Sequence, residues 1–154
     1  MKVLVDVNVV IDVIERRPTF FADSYAVLSL IAEGTLDGFI AAGSIADINY
    51  ILRKGGLTWE QARTALAHLT QVIDMCDTTA SDVNHALASG MADLEDAVLA
   101  ECAKRTGADA IITRDLRDFA ASPVPAMSPT QLLNSISPTI MTRLNDSSLN
   151  DQHS

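Results

Sequence analysis

Short stretches made almost only of apolar residues alternate along the chain with segments in which apolar residues recur every three or four positions. The first stretch, Lys2–Val5, has the apolar run expected of a strand buried on both faces of a sheet. In residues 20–33 the spacing of Leu28 and Ile31 is typical of a helix with one buried face. Strands that alternate with helices in this way predict an α/β fold whose parallel sheet is joined by right-handed crossovers.

The two patterns, with glycine and proline stops, predict four strands, a short fifth strand and seven helices. The strands are residues 2–5, 36–41, 72–76, 110–113 and 124–127. The helices are residues 8–15, 20–33, 44–54, 58–70, 79–90, 93–107 and 128–134. Capping boxes are indicated at Ser44-x-x-Asp47, Thr58-x-x-Gln61, Thr79-x-x-Asp82 and Asp93-x-x-Asp96. We expect one domain over residues 1–134 and a Ser-, Asn- and Asp-rich tail, residues 135–154, that is either mobile or docked on a partner.

Composition narrows the class of protein. With 154 residues, 48% of them apolar, the chain can bury a sizeable core as one globular domain. No apolar run approaches the roughly 18 residues of a membrane span. The start MKVLVD lacks the features of a signal peptide, so we expect a cytoplasmic protein. Cys76 and Cys102 are expected to be reduced core residues, and no Cys/His cluster has zinc spacing.

The charge balance argues against a simple nucleic-acid binder. The chain has 11 basic and 20 acidic residues, a net charge of −9, whereas proteins that bind nucleic acid are usually basic. If the substrate is a phosphodiester, a bound metal and a local basic rim must reverse the field around the site. The alternative is a basic partner that binds the acidic surface, and both interpretations stay open at this point.

Acidic residues follow two of the predicted strands. Asp6 comes directly after the first strand, and Asp115 follows the fourth strand after a single arginine, with Asp118 one turn later. Because parallel strands end at the same edge of a sheet, we expect these acids to share that edge. Carboxylates that crowd together repel and raise each other's pKa. The pattern therefore favours a divalent metal held by oxygen ligands.

The remaining acids have ordinary explanations beside a functional one. The helix of Asp47 starts at the same sheet edge because it follows the second strand, whereas the helix of Asp96 follows another helix and is not placed by this rule. The ordinary explanation of Asp47 and of Asp96 is a role in a capping box, and that of Asp93 is a role as the N-cap. Glu95 can compensate the helix dipole or lie on the surface. Asp12 is expected to be solvated surface.

Four segments taken together resemble a known family. They read MKVLVDVNVVIDV, SIADINYILRK, DLEDAVLAECAKRTGADAIITRDLRDF and PAMSPTQLL, and they span about residues 1–134 in order. In this order they resemble bacterial and archaeal PIN-domain proteins, which include the toxins of VapBC-type toxin–antitoxin pairs. The resemblance implies a three-layer α/β/α fold with a central parallel sheet of four or five strands. It also implies a ribonuclease that depends on Mg²⁺ or Mn²⁺.

The resemblance also assigns roles by position. The first acid of the family falls on Asp6, followed by the family's asparagine at Asn8. The second falls on Asp47, where many PIN nucleases have Glu and a side chain one methylene longer. The third falls on Asp96, with Glu95 beside it. The last acidic position falls on Asp115, where many relatives have Asn, so that Asp118 is a candidate to share the role.

These matches define the expected site. Asp6 and Asp96 would hold the main metal directly, Asp115 and Asp118 would act through water or bind a second ion, and Asp47 would ligate or orient the attacking water. Supporting roles are expected for Asn8, Ser44, Asp93, Glu95 and Thr113. Candidates for contacts to backbone phosphates are Arg53, Lys54, Arg114 and Arg117, each with solvated surface as the alternative.

Three functional hypotheses follow. The first is an endoribonuclease that acts on RNA, with a protein antitoxin and a homodimer as expected assemblies. The second is a PIN-fold binding module, weak in catalysis, that acts through a protein partner. The third is a phosphatase of the haloacid-dehalogenase type, because Asp6-x-Asn8 follows the first strand. That class has a second Asp where Asn8 stands and a late Lys, yet no Lys follows Arg105.

Overall fold

A five-stranded, entirely parallel sheet forms the centre of the protein in the computed structural model, which describes residues 1–136. The strands are β1 (Lys2–Val5), β2 (Asp37–Ala41), β3 (Asp74–Cys76), β4 (Ala110–Ile112) and β5 (Ala126–Met127). Their spatial order is β3-β2-β1-β4-β5. The predicted polar tail lies outside the described residues from residue 137 onward.

Helices connect the strands and cover both faces of the sheet. They are α1 (Val7–Ile14), α2 (Phe21–Ala32), α3 (Ser44–Lys54), α4 (Trp59–Val72), α5 (Ala80–Ala88), α6 (Leu94–Thr106) and α7 (Pro129–Ser135), with a 3₁₀ turn at Leu116–Phe119. The three-layer α/β/α fold with a parallel sheet is therefore confirmed. β3 starts later than predicted because α4 continues to Val72. No helix within residues 1–136 is long and apolar enough to cross a membrane.

The central strand shows how the layers are built. Val3 and Val5 point into a core formed with α1, α2, α3, α4 and α7, whereas Leu4 points into a second core formed with α6 and the 3₁₀ turn. All three side chains are almost completely buried. Since alternate residues of a strand face opposite sides, a strand covered on both faces must be apolar throughout.

The strand order creates a crevice at the carboxyl edge of the sheet. From β1 the chain moves to β2 and β3 on one side and later returns to β4 and β5 on the other. Strand order therefore reverses between β1 and β4, and ligands of open α/β sheets bind outside the strand ends at such a reversal. The register pairs Val5 with Ile112, so the residues that follow both strands emerge side by side.

The buried Asp82 links α5 to α6. It forms the predicted capping box with Thr79 at the start of α5, and its Oδ1 lies 2.9 Å from Nε of Arg105 on α6. Burial opposes ionisation of Asp82, but the hydrogen bonds from Arg105 prevail and hold its pKa well below the usual range.

Cys102 is buried with its Sγ 3.3 Å from Asp82 Oδ2, and both Cys102 and Cys76 are free thiols, as predicted.

Gly38 on β2 allows α2 to approach the sheet closely. A Cβ at this position would lie 2.3 Å from Cδ1 and 2.4 Å from Cγ1 of Ile31. We expect Gly38→Ala to lower the free energy of unfolding by about 1–3 kcal/mol, because the core must shift to admit a methyl group. Urea denaturation measures this change. Gly90→Ala, which adds a Cβ with no neighbour within 4 Å, is the control; equal stabilities of both variants would contradict the expected overpacking.

Candidate active site

A cleft of about 220 Å³ opens at the carboxyl edge of the sheet, where β1 and β4 end. Within residues 1–136, its charged lining consists of five carboxylates and one guanidinium: Asp6, Asp47, Glu95, Asp96, Asp115 and Arg17. Four of the five carboxylates are the predicted catalytic acids, and they come from four separate segments of the chain. The structure therefore brings together Asp6, Asp47 and Asp115, which the sheet-edge rule predicted to lie near one another. It adds Asp96, which only the family resemblance assigned to the site.

Asp6 is the buried acid of the cleft. It is the N-cap of α1, and its Oδ1 accepts a hydrogen bond of 2.7 Å from the backbone N–H of Val7. Its Oδ2 accepts a 2.8 Å hydrogen bond from the hydroxyl of Thr113 and a 3.3 Å hydrogen bond from Nδ2 of Asn8. Burial raises the pKa of Asp6, the hydrogen bonds from Thr113 and Val7 oppose the rise, and the charge of Asp115 raises the pKa further.

Asn8 links the carboxyl ends of β1 and β4 through its side chain. Its Nδ2 lies within 3.3 Å of Oδ2 of Asp6, 3.2 Å of Oγ1 of Thr113 and 3.1 Å of Oδ2 of Asp115. Its Oδ1 accepts a hydrogen bond of 3.2 Å from the backbone N–H of Arg114. Thr113 also accepts a 3.0 Å bond from the backbone N–H of Asp115. The two side chains thus fix the spacing of two carboxylates that would otherwise repel.

Asp96 reaches the cleft from the first turn of α6. Asp93 caps this helix by accepting a 3.0 Å hydrogen bond from the Asp96 backbone, but no return bond from the Asp96 side chain completes the predicted capping box. The carboxylate lines the cleft instead. Burial raises its pKa to about 7, and the charges of Asp93 and Asp6 add to this effect. Among residues 1–136, Asp96 forms no salt bridge that would keep it ionised.

Asp47 and Glu95 line the cleft from opposite layers, one on α3 and one on α6. The charge of Asp47 is the main cause of the raised pKa of Glu95, which shows that the two carboxylates act on each other across the cleft. The predicted capping box of Ser44 and Asp47 is wrong. Gly43 is the N-cap with helical backbone angles and gives its N–H to Thr78, so Ser44 already lies inside the helix, buried beside the cleft.

The prediction that Asp12 is solvated surface is wrong. Its side chain is fully buried, and its Oδ2 accepts hydrogen bonds of 2.7 Å from Nε of Arg114 and 3.2 Å from the hydroxyl of Ser24. The Arg114 guanidinium also stacks 4.0 Å from the ring centre of Phe20. Arg114, predicted to contact phosphate, therefore serves as an internal counter-ion. A single acid among the apolar residues of α1 was the signal for such a partner.

The other predicted cations lie apart from the cleft. Arg53 and Lys54 are exposed at the carboxyl end of α3, and Arg117 is exposed in the 3₁₀ turn. Asp118 is also exposed and does not line the cleft, although its charge helps to raise the pKa of Asp6 and Asp96. Arg17, which the sequence did not single out, is the cation that the described lining contains.

The donor chemistry of the cleft fits Mg²⁺ or Mn²⁺ without a preformed cage. Within residues 1–136, no three His, Cys, Asp or Glu side chains are grouped closely enough to hold a metal ion by themselves. Mg²⁺ keeps several of its waters and needs only one or two carboxylates from the protein. The part of the cleft lining that the structure describes offers only oxygen ligands. The pKa of both Asp6 and Asp96 is raised, and a bound cation would stabilise both acids in the ionised form.

Comparison with known proteins identifies the family. The sequence matches the model of the PIN domain over residues 2–117, and the chain belongs to this family. The predicted resemblance is thus confirmed. A comparison with curated protein sequences gave no match.

Solved structures share the fold at low sequence identity. VapBC2 from Rickettsia felis, bound to a promoter DNA fragment, is 18% identical, with a TM-score of 0.67 over 83% of this chain and 98% of that one. VapBC from Salmonella typhimurium, bound to DNA, is 16% identical, with a TM-score of 0.65 over 84% and 98%. FitAcB from Neisseria gonorrhoeae is 21% identical, with a TM-score of 0.62 over 83% and 98%.

Proposed function

We propose that this PIN-domain protein is a metal-dependent endoribonuclease and the toxin of a toxin–antitoxin pair. The observation that carries the proposal is the cleft itself, in which five carboxylates converge with one guanidinium at the point where strand order reverses. Such an excess of negative charge is useful for binding a cation and unfavourable for binding RNA directly. A site of this kind, in a PIN domain, supports hydrolysis of a phosphodiester bond.

The roles of the residues follow from their placement. Asp6 and Asp96 would hold the metal, which when bound neutralises charge on the phosphate and lowers the pKa of an attacking water. Asn8 and Thr113 keep the Asp6 carboxylate in one orientation through their hydrogen bonds. Asp47, on the opposite wall from Asp96, would orient the water and accept its proton. Asp115 would act through water, since Asn8 already engages one of its oxygens.

The proposed partner is a protein antitoxin. The structures that share this fold include VapBC and FitAB complexes, and several of these contain DNA. A nuclease toxin requires such a partner because its activity would otherwise degrade cellular RNA. The predicted homodimer stays a prediction, which sedimentation of the purified chain tests.

A binding module is the second candidate, and an apolar groove of about 400 Å³ favours it. Residues of α2 and α4 line this groove, among them Tyr25, Leu28, Leu69 and Val72. On this alternative the groove would hold an apolar segment of the antitoxin while the acidic cleft binds no metal. Calorimetric titration with Mn²⁺ discriminates between the two functions, because only the nuclease requires the metal.

The proposed activity has a direct test. We expect the purified protein to cleave a random-sequence pool of single-stranded RNA in Mg²⁺ or Mn²⁺, and EDTA to stop cleavage until excess metal is added. Asp6→Asn should lower the rate by at least about 100-fold, because a neutral amide binds the metal poorly. Asp37→Asn, which removes an exposed carboxylate at the opposite edge of the sheet, is the matched control. An inactive parent that also binds no Mn²⁺ would refute the proposal.

A further inference from the structure

The turn that follows α1 places an arginine in the acidic cleft. Arg16 has a left-handed backbone with φ of 50°, and this reverses the chain so that the backbone N–H of Arg17 donates a 3.0 Å hydrogen bond to the carbonyl of Asp12. The Arg17 side chain returns along the helix, with Nη1 3.6 Å from Oδ1 of Asp12. It is the cation in the described lining of a cleft that otherwise carries five carboxylates.

The Arg17 guanidinium is held in place, and its contacts within residues 1–136 do not use all of its N–H groups. Nε and Nη2 both donate hydrogen bonds of 3.2 Å to the same oxygen of Glu15. Nη1, at 3.6 Å from Oδ1 of Asp12, is too far for a hydrogen bond. A guanidinium carries five N–H groups, so these contacts leave N–H groups available. The side chain is 37% exposed, and the available donors can reach a ligand in the cleft.

We propose that Arg17 binds a phosphate of the RNA strand next to the phosphate that is cleaved; this inference rests on the proposed nuclease function. α1 runs from Val7 to Ile14 and its eight residues extend about 12 Å, so the backbone of Arg17 lies a helix length from Asp6, while its side chain returns along the helix to line the same cleft. A planar guanidinium pairs with two phosphate oxygens at once, which makes it suited to this contact. RNA entering a cleft of net negative charge needs such a contact beyond the metal.

Two buried or half-buried acids position Arg17 and set its affinity. Asp12 and Glu15 carry two negative charges, and Arg17 and Arg114 carry two positive charges, so the group is neutral before RNA binds. A phosphate must compete with Glu15 for the Arg17 guanidinium. Glu15→Gln should therefore tighten RNA binding when Arg17 is present, and should have a much smaller effect in the Arg17→Gln background.

Cleavage kinetics and salt-dependent binding test the inference. In Mn²⁺, Arg17→Gln should raise KM for a single-stranded RNA pool by roughly tenfold with little change in kcat, because a phosphate contact outside the reacting bond is lost. Binding is measured in the Asp96→Asn background by anisotropy of a fluorescein-labelled RNA 12-mer. There Arg17→Gln should reduce the slope of log affinity against log salt by about 0.7, and Arg17→Lys should retain the slope.

Arg16→Gln is the matched control, because it removes the neighbouring arginine, which is exposed and does not line the cleft. Thermal melts establish that each variant is folded, and Arg17→Lys keeps the charge if Arg17→Gln does not fold. If the parent cleaves RNA and Arg17→Gln matches Arg16→Gln in both KM and salt slope, Arg17 does not bind the substrate. If the parent cleaves no RNA in Mn²⁺, the nuclease function fails and the inference falls with it.

Discussion

Asp96→Asn should abolish RNA cleavage and, in the same protein, increase stability at neutral pH in the absence of metal. Loss of a metal ligand is expected to lower the cleavage rate by at least about 100-fold. Stability should rise because the Asp96 carboxylate is desolvated, lies near the charges of Asp93 and Asp6, and forms no salt bridge within residues 1–136. Removing its charge ends that repulsion. Gains of stability at the expense of activity are typical of residues kept for function.

The pH dependence of stability provides the quantitative check. The pKa of Asp96 is about 7 in the folded protein and about 3.9 for an unfolded aspartate. Between these values the folded state binds more protons, so the stability of the metal-free parent should fall as pH rises from 4 to 7. After allowance for solvent screening, we expect the stability advantage of Asp96→Asn over the parent to be roughly 1–2 kcal/mol larger at pH 8 than at pH 5. This difference corresponds to a few degrees in Tm.

Melting curves in EDTA at pH 5 and pH 8 measure this difference. Asp37→Asn serves as the control, since its carboxylate is exposed at the amino end of β2. A variant of Asp96 that melts with the same pH dependence as the parent would show that the repulsion does not exist. Retention of cleavage by the variant would show that Asp96 does not hold the metal.

Asp12→Ala should be the most destabilising single substitution of a charged residue considered for this protein. Asp12 is fully buried, and the Arg114 guanidinium, stacked on Phe20, depends on its carboxylate as counter-ion. Breaking a buried ion pair by removing one partner usually costs about 3–5 kcal/mol, because the other charge stays desolvated. Urea denaturation should show this loss as a lower midpoint. The Ser24 hydroxyl would lose its acceptor as well.

A double-mutant cycle separates the charge effect from simple loss of volume. Replacing both partners, as in Asp12→Leu with Arg114→Met, should recover most of the stability that Asp12→Ala loses, because no unpaired charge then stays in the core. If Asp12→Ala costs less than about 1 kcal/mol, Arg114 must reach solvent on its own. That result would also weaken the case for Asp12 as the residue that positions Arg17.

The meeting of Asp6 and Asp115 was predictable from sequence because it depends on regular geometry. Parallel strands end at one edge, and the pairing of Val5 with Ile112 makes the residues after them neighbours. Asp96 was not predictable in this way, since its helix follows another helix and only the packing of α6 brings it to the cleft. The resemblance to PIN-domain proteins supplied that assignment.

The errors have local physical causes. Asp12 was expected on the surface, but α1 is covered by both the sheet and α2. Ser44 was expected to cap α3, yet Gly43 adopts helical angles and takes the cap position. The sequence did not indicate a position for Arg17 in the cleft, because the helical periodicity that places side chains ends with α1. Its position depends on the left-handed turn at Arg16, which a sequence pattern does not reveal.

The cleft acids span the chain from Asp6 to Asp115. Asp47 lies on α3 at one face of the sheet, and Asp96 lies on α6 at the other. During synthesis, a nascent chain that has not yet emerged past β4 lacks the last of these acids and cannot complete the cleft. For the proposed nuclease this order matters, because the ribosome that makes the protein contains RNA. The proposed catalytic cleft is therefore complete only when nearly the whole domain has left the exit tunnel and folded.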